Sequence, residues 1–453
     1  MAASGISIRE IQKNLGEEKI ALRDSFWIER DFKELSEKLK KVEIVQRDKQ
    51  GNCVLLTGAT GFLGCHVLAE LLKSNKASKI FCIVRGKDEQ DSLNRVLQVL
   101  RKHKILGEVE SSLKGKVRVL CGDLTKERFG LEQTEFEELE CKVCFVFHCA
   151  ANVNHLLSYD YLRRANVLPT FELISFCKKN RAKINYVSSI SVVDGKRGLD
   201  EKYDTFELDS LQVEATGGYV ASKIVCERIL HKSTDVKYTI FRAGMISWNR
   251  YGVSNSFDWF HKLFSGIFHT RIAPSLKQDV EFNLIPVDFC SSVLVHVGSS
   301  QMSDFKIFHL INNNKNITLN RIIELAENYL PQGVELTSIQ QEKLKSVWKF
   351  TRVPLHEWQS YISTKISQEC EQRKTNKSKE KNKVIMELEY FVKGPFPDDS
   401  KDKTSCCSSF EFFKEFKDKI DSGEQFSAKC ESSEKSIYPF LDSMLRDEFE
   451  ELI

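Results

Sequence analysis

The 453 residues carry 67 basic and 64 acidic side chains, a net charge of +3, and so even a balance gives no electrostatic ground for binding nucleic acid or an anionic membrane surface. No stretch reaches the ~18 consecutive apolar residues of a membrane span, and the opening MAASGISIREIQKNLGEEKI lacks the apolar centre of a secretory signal, so a cytoplasmic protein is expected. The length calls for one large domain with additions, or two domains, and most of the fourteen cysteines sit singly in apolar runs, as small buried hydrophobes do in a reducing compartment.

Residues 1–47 are charged, with Ile, Leu and Phe at helical spacing, and predict a helical arm. From residue 48 short apolar or β-branched runs alternate with longer amphipathic stretches. NCVLLTG precedes FLGCHVLAELLKS, and KIFCIVR precedes DSLNRVLQVLRKHK. KVRVLCGD and VCFVFHCAA follow, then YLRRANVLPTFELISFCKKN, KINYVSS, the GGYVASKIVCERIL helix and KYTIFRAG. This alternation predicts an α/β fold, a Rossmann-type doubly wound parallel sheet with helices on both faces, over residues 48–300. Residues 301–453 predict a smaller, mainly helical C-terminal substrate region. It includes a solvated Lys-rich run, RKTNKSKEKNK, and a polar linker near 395–409.

The first strand-to-helix turn, LLTGATGFLGCH, sets Gly58, Gly61 and Gly64 in a G-x-x-G-x-x-G array. A strand before it and a helix after it give the array the context of a dinucleotide site. Gly58 permits the turn, Gly61 lets backbone approach a pyrophosphate and Gly64 lets the helix pack on the strand. Thr60, Phe62 and Leu63 complete this cofactor loop, at a helix N-terminus whose free N–H groups attract phosphate. Strand two ends CIVRGKD, with Arg85 twenty-one residues past Gly64 and Lys87 close by. A cation there accommodates the 2′-phosphate of NADP, where an acid would select NAD, so NADPH is the expected cofactor. Asp123 and Leu124, at the end of strand three, are expected near the adenine. After strand four, Ala150 and Ala151 are small enough to border the cofactor path, whereas His148 is expected to pack in the strand end.

CKVC, Cys141–Cys144, is a single CxxC without the four ligands of a zinc site, and no metal is expected.

A Tyr and a Lys four apart occur twice, as Tyr219 with Lys223 and as Tyr361 with Lys365. Residues at this spacing share a helix face. A neighbouring ammonium favours the phenolate, so the pair is expected to lower the phenol's pKa from about 10 and make it a general acid. Position separates the two pairs. Tyr219 follows strand five, in the crevice where such sheets bind ligands; Tyr361 has no strand before it and reads as a coincidence. Strand five ends NYVSS, and either Ser188 or Ser189 can donate to a developing oxyanion.

Together, TGATGFLG, HCAANVNHLLSYDYLRRANV, NYVSSISVV, GGYVASK, GVSNSFD and IPVDF resemble the extended short-chain dehydrogenase/reductases. The closer similarity is to the thioester reductase (terminal reductase) domains of nonribosomal peptide synthetases, carboxylic acid reductases and α-aminoadipate reductases, over roughly residues 50–300. The resemblance implies NADPH-dependent reduction of an acyl thioester to an aldehyde, with a second round giving an alcohol. It implies Ser189, Tyr219 and Lys223 as the catalytic residues, Tyr219 and Lys223 also touching the cofactor, and Asn166 of RRANV near the active site. Ser189 stands where the family has Thr, and Ala243 where it usually has Pro. No adenylation or carrier region precedes residue 50, so the acyl group is expected from a carrier protein in trans or as a CoA ester. The competing expectations are a fatty acyl-CoA reductase or another extended dehydrogenase acting on a free carbonyl, and a non-catalytic NADPH-binding scaffold.

Overall fold

The apolar runs form strands and the amphipathic stretches form the helices between them. The computed structural model describes residues 17–47, 51–155, 157–193, 209–276, 279–312, 316–329, 349–373 and 437–441, with a few isolated positions besides. The composition-based linker at 395–409 and all but the first residue of the Lys-rich run lie outside them.

Helix α1 (Glu17–Lys40) comes first, then β1 (Cys53–Thr57), α2 (Phe62–Lys73), β2 (Lys79–Val84), α3 (Glu89–Lys102), α4 (Leu106–Lys116) and β3 (Val117–Cys121). They are followed by α5 (Gln133–Lys142), β4 (Val143–His148) and α6 (Tyr159–Leu162), which runs through one π turn, Arg163–Val167, into α7 (Leu168–Asn180). Next come β5 (Lys183–Ser189), α8 (Ser210–Glu214), α9 (Gly218–Lys232) and β6 (Tyr238–Ala243). The later part holds β7 (Met245–Ser247), α10 (Trp259–Thr270), β8 (Ile272–Ser275), β9 (Glu281–Phe282), β10 (Leu284–Pro286), α11 (Val287–Gly298) and β11 (Lys306–Leu310). It ends with β12 (Ile317–Thr318), α12 (Leu319–Glu327), β13 (Thr351–Pro354) and α13 (Leu355–Arg373).

Seven strands form one parallel sheet in the order β11-β6-β5-β4-β1-β2-β3. The chain leaves β1 in one direction and returns to β4 on its other side, so the crevice beyond the carboxyl ends of β1 and β4 is the topological switch point where such sheets bind ligands. All five residues of β1 are buried, as a central strand covered on both faces requires. One face packs on α1, α5, α7 and α9, the other on α2, α3, α4 and α11. The seventh strand comes from beyond residue 300, so the sheet does not end where composition suggested: the FKIFHL run is short and apolar enough to close the sheet edge against β6.

The N-terminal helix is part of this body. Ile28, Leu35 and Leu39 of α1 are buried in the core, each contributing about 1.5–3 kcal/mol of apolar burial. Asp24 accepts the backbone N–H groups of Tyr159 (2.8 Å) and Asp160 (3.0 Å), capping α6 from another helix. Asp31 accepts from the Tyr159 hydroxyl at 2.8 Å and from Arg163 Nε and Nη2, both at 2.6 Å.

A third core lies apart from the sheet. Trp248, Phe260, Phe264, Phe282, Phe350 and Trp358 pack there with Phe440 and Leu441. It joins α10, α12 and α13 to the 437–441 segment.

Candidate active site

The glycine turn follows from its local geometry. Gly58 has φ +77°, and a Cβ there would lie 2.7 Å from the Ala150 nitrogen. A Cβ on Gly64 would lie 2.0 Å from the Gly58 carbonyl oxygen, so α2 sits directly on the turn. Gly61 caps α2 with no side-chain hydrogen bond, which leaves the first-turn N–H groups, Phe62 and Leu63 among them, open to an anion. The Phe62 ring turns away to pack on His66 and His103 at 5.3 and 5.2 Å, and Leu63 packs on the core. Thr60 is half-buried in the turn. This cradle fits a dinucleotide pyrophosphate, and the contact of Gly58 with Ala150 places the exit of β4 beside it.

At the end of β2 the Arg85 side chain is exposed, and Arg95 of α3 donates to the Arg85 carbonyl. Lys87 is exposed beside them. Asp123 Oδ1 accepts from the Thr125 N–H (3.0 Å) and hydroxyl (2.8 Å). Partial burial pushes its carboxyl up, but the Thr125 bonds and the nearby Arg85 charge hold it below its ordinary value. Leu124 is half-buried and packs against the core.

Tyr219 and Lys223 lie at the start of α9, which enters immediately beyond the carboxyl end of β5. Tyr219 is 7% exposed and Lys223 3%. The Lys223 ammonium donates to the Val187 carbonyl at 2.7 Å and lies 4.8 Å from the Tyr186 ring and 5.9 Å from the Tyr219 ring. Burial outweighs the ammonium here. It pushes the Tyr219 phenol up to about 12 and Lys223 down to about 8. The lowered phenol expected from spacing alone is not what this arrangement produces, because desolvation of both groups exceeds their mutual attraction.

The two serines that end β5 part company. Ser189 Oγ accepts the Ser191 N–H at 3.2 Å, at the crevice end of the strand. Ser188 Oγ is buried without a hydrogen-bond partner among the described residues, in register with Arg242 of β6.

Asn166 lies in the π turn, 3% exposed. Its Oδ1 accepts the Asn152 N–H at 2.8 Å, and its Nδ2 donates to the Asn152 carbonyl and the Ser222 hydroxyl, both at 3.1 Å. It thus clamps the loop after Ala151 to the helix of Tyr219 and Lys223. His148 is packed in the strand end, with Nδ1 2.7 Å from the Thr57 hydroxyl and Nε2 2.8 Å from that of Thr170. Beneath the site, Arg242 and Glu227, each 0% exposed, form an ion pair with Nη2–Oε2 2.7 Å. Glu227 lies one turn beyond Lys223, and its charge raises that ammonium while burial lowers it.

Tyr361 and Lys365 share α13 in the third core, the Lys365 nitrogen 5.7 Å from the Tyr361 ring. Cys141 accepts from Arg47 at 2.8 Å and the Cys144 thiol donates to the Gly51 carbonyl at 3.2 Å. Among the described residues no group of three His, Cys, Asp or Glu gathers to hold a metal, and no helix is long and apolar enough to cross a membrane.

Three contacts have no clear sequence signal: Arg95 at Arg85, the Asn166 clamp's partner Ser222, and His155, whose ring stands edge-on to Tyr219 at 4.8 Å. Only the helix start at Asp88, whose carboxylate accepts the Asp91 N–H, points to Arg95, by fixing how far α3 has turned at that residue.

Buried imidazoles make stability pH-dependent. Burial holds His148 down to about 3, and His103 and His261 to about 4. Between the ordinary imidazole value of about 6.5 and these values, the unfolded chain binds protons that the folded one refuses, so stability is lost as the pH is lowered. Melting temperature should be level above about pH 7 and drop steadily between about pH 6.5 and 4; a level profile down to pH 5 would contradict burial of these rings as neutral groups.

Comparison with known proteins agrees with the fold. The terminal R domain of the myxalamid PKS-NRPS pathway superposes with a TM-score of 0.72 at 25% identity, over 94% of this chain and 98% of that one. The R domain of a nonribosomal peptide synthetase from Mycobacterium tuberculosis shares the fold at TM-score 0.64 and 20% identity, over 92% and 96% of the two chains. In sequence, the nonribosomal peptide synthetase asaC of Aspergillus flavus is 32% identical over 267 residues, 57% of this chain and 26% of that protein. The L-2-aminoadipate reductase large subunit of Penicillium chrysogenum is 30% identical over 258 residues, 53% of this chain and 18% of that one. The chain thus spans about a quarter or less of the length of these two curated relatives. Residues 56–294 match the NAD-binding family described as male sterility protein, and the chain belongs to that family.

Proposed function

We propose that the protein is an NADPH-dependent reductase that converts an acyl thioester to an aldehyde, and onward to an alcohol. The observation that carries this reading is the placement of the Tyr219 phenol and Lys223 ammonium beyond β5, at the same end of the sheet as the Gly58–Gly64 turn. The likeness to the myxalamid R domain over nearly the whole chain supports it.

The reduced nicotinamide, when bound, supplies hydride. The first-turn N–H groups of α2 hold the pyrophosphate, and Arg85, Lys87 and Arg95 offer cations to a 2′-phosphate. Asp123, with Ala150 and Ala151, borders the adenine side and the cofactor path. Ser189 and Tyr219 donate to the thioester oxygen as charge develops there. Lys223 favours the phenolate when Tyr219 gives up its proton and is placed to donate to the nicotinamide ribose. Asn166 acts on the site by holding the Asn152 backbone. The acyl group arrives on a carrier protein's thiol or on CoA, in the cytoplasm.

The test is purified protein with NADPH and a panel of acyl-CoA, acyl-pantetheine and aldehyde substrates, followed by absorbance of the reduced nicotinamide. Thioester turnover is the expected result. Turnover of aldehydes alone would make the protein a dehydrogenase of free carbonyls, and tight NADPH binding with no turnover would make it a scaffold.

Cofactor choice has its own test. Arg85→Ala should weaken NADPH by about 10–100-fold, the worth of a charge-assisted hydrogen bond, and leave NADH nearly unchanged. Equal weakening of both dinucleotides would remove the 2′-phosphate contact.

A further inference from the structure

Building on the proposed reduction of thioesters, we propose that His155 is the acid that protonates the departing sulfur. Reduction of a free carbonyl leaves its proton on oxygen, where Tyr219 can deliver it. In thioester reduction the oxygen returns to a carbonyl and the proton finishes on sulfur. The acyl carbon takes a hydride from the reduced dinucleotide, and the carbonyl π pair moves to the oxygen facing Tyr219 and Ser189. When the C=O bond re-forms, the C–S bond breaks and its electron pair goes to sulfur. His155 gives that sulfur a proton and recovers one from water. The acyl carbon has then gained two electrons, the dinucleotide has lost two, and one proton has come from solvent.

Three observations place the imidazole for this step. Its ring stands against the Tyr219 ring, centroids 4.8 Å apart and planes at 67°. Tyr219 is buried whereas His155 is exposed, so the imidazole reaches from the Tyr219 ring to water. Residues on both sides of it are packed in place. A Cβ on Gly218 would lie 2.2 Å from the Leu157 carbonyl oxygen, so this loop packs directly on the start of α9, and Asn166 holds both backbone groups of Asn152. Desolvation by burial keeps the imidazole below its ordinary value, which makes its protonated form a stronger acid. An alkyl thiol has a pKa near that of Cys, about 8.5, and expelling its anion into a largely desolvated site is unfavourable without such a donor.

His155→Phe keeps an aromatic edge on Tyr219 and removes the proton. With an acyl-pantetheine substrate, kcat/KM should fall by about 10²-fold, the scale of general acid catalysis; with the S-phenyl ester of the same acid, whose thiolate is a much weaker base, it should fall by less than about threefold. Equal loss on both esters would reduce His155 to a prop for Tyr219, and no loss on either would make it a bystander; both outcomes overturn the proposal. A second readout needs no turnover. Pantetheine added to the cofactor-free wild-type protein should shift the His155 imidazole resonances, and their constancy at concentrations where acyl-pantetheine saturates the enzyme would also overturn it. Failure of the wild type on every thioester would instead remove the reductase reading itself.

Discussion

Replacing Tyr219 by Phe is expected to lower turnover by about 10²–10⁴-fold, the range that a positioned general acid contributes, while affinity for NADPH changes by less than about tenfold, or ~1.4 kcal/mol. The substitution removes one oxygen and leaves the ring, so the edge contact with His155 and the packing beside Lys223 are retained. Stopped-flow measurement of hydride transfer, with dinucleotide affinity from fluorescence, reads the two effects separately. The counterpart Tyr361→Phe should change neither, since that ring belongs to the third core. If both substitutions lowered turnover alike, Tyr219 would lose its assigned role.

The second large effect concerns stability. Glu227→Ala leaves the Arg242 guanidinium in a place with no exposure, with a weak neighbour among the described residues, His309 Nε2 at 3.4 Å. Breaking a buried ion pair on one side costs about 3–5 kcal/mol, a large part of the ~5–15 kcal/mol that holds a typical domain together. The urea midpoint should drop accordingly. Replacing both partners, Glu227→Leu with Arg242→Met, should recover most of the loss, because no unpaired charge then remains buried. A double variant as unstable as Glu227→Ala would mean that the pair is held by shape and not by charge. The consequence reaches the site, since Glu227 is one of the charges that raise the Lys223 ammonium.

Much of the fold was legible because its signals are local. Continuous apolar runs such as VLLT and CFVFH mark strands buried on both faces, and the glycine array shows itself through its place between a strand and a helix. The expectation that Tyr219 and not Tyr361 is catalytic rests on the order of elements along the chain, and the structure places Tyr361 in the third core. What escaped depends on distance in space. Nothing in the spacing of Tyr219 and Lys223 reveals that both would be desolvated so far that burial exceeds their attraction. Nor does an Asp in a charged helix announce that, as Asp31, it will hold Tyr159 and Arg163, so α1 read as an arm.

The third core has a kinetic meaning. Trp248 stacks on Phe440 at 4.6 Å with planes 15° apart, and a Cβ on Gly252 would lie 1.7 Å from the Pro439 carbonyl oxygen. These partners are separated by nearly two hundred residues of chain, so their meeting requires closure of a very long loop, and contacts of such sequence separation slow folding. Sheet strands that pair near neighbours are expected to acquire amide protection first during refolding, and amides around Trp248 last, which pulsed hydrogen exchange can resolve. Newly synthesised chains would then hold a finished nucleotide cradle before the third core has set, and that interval is when its indole and phenyl rings stand open to chaperones or to aggregation.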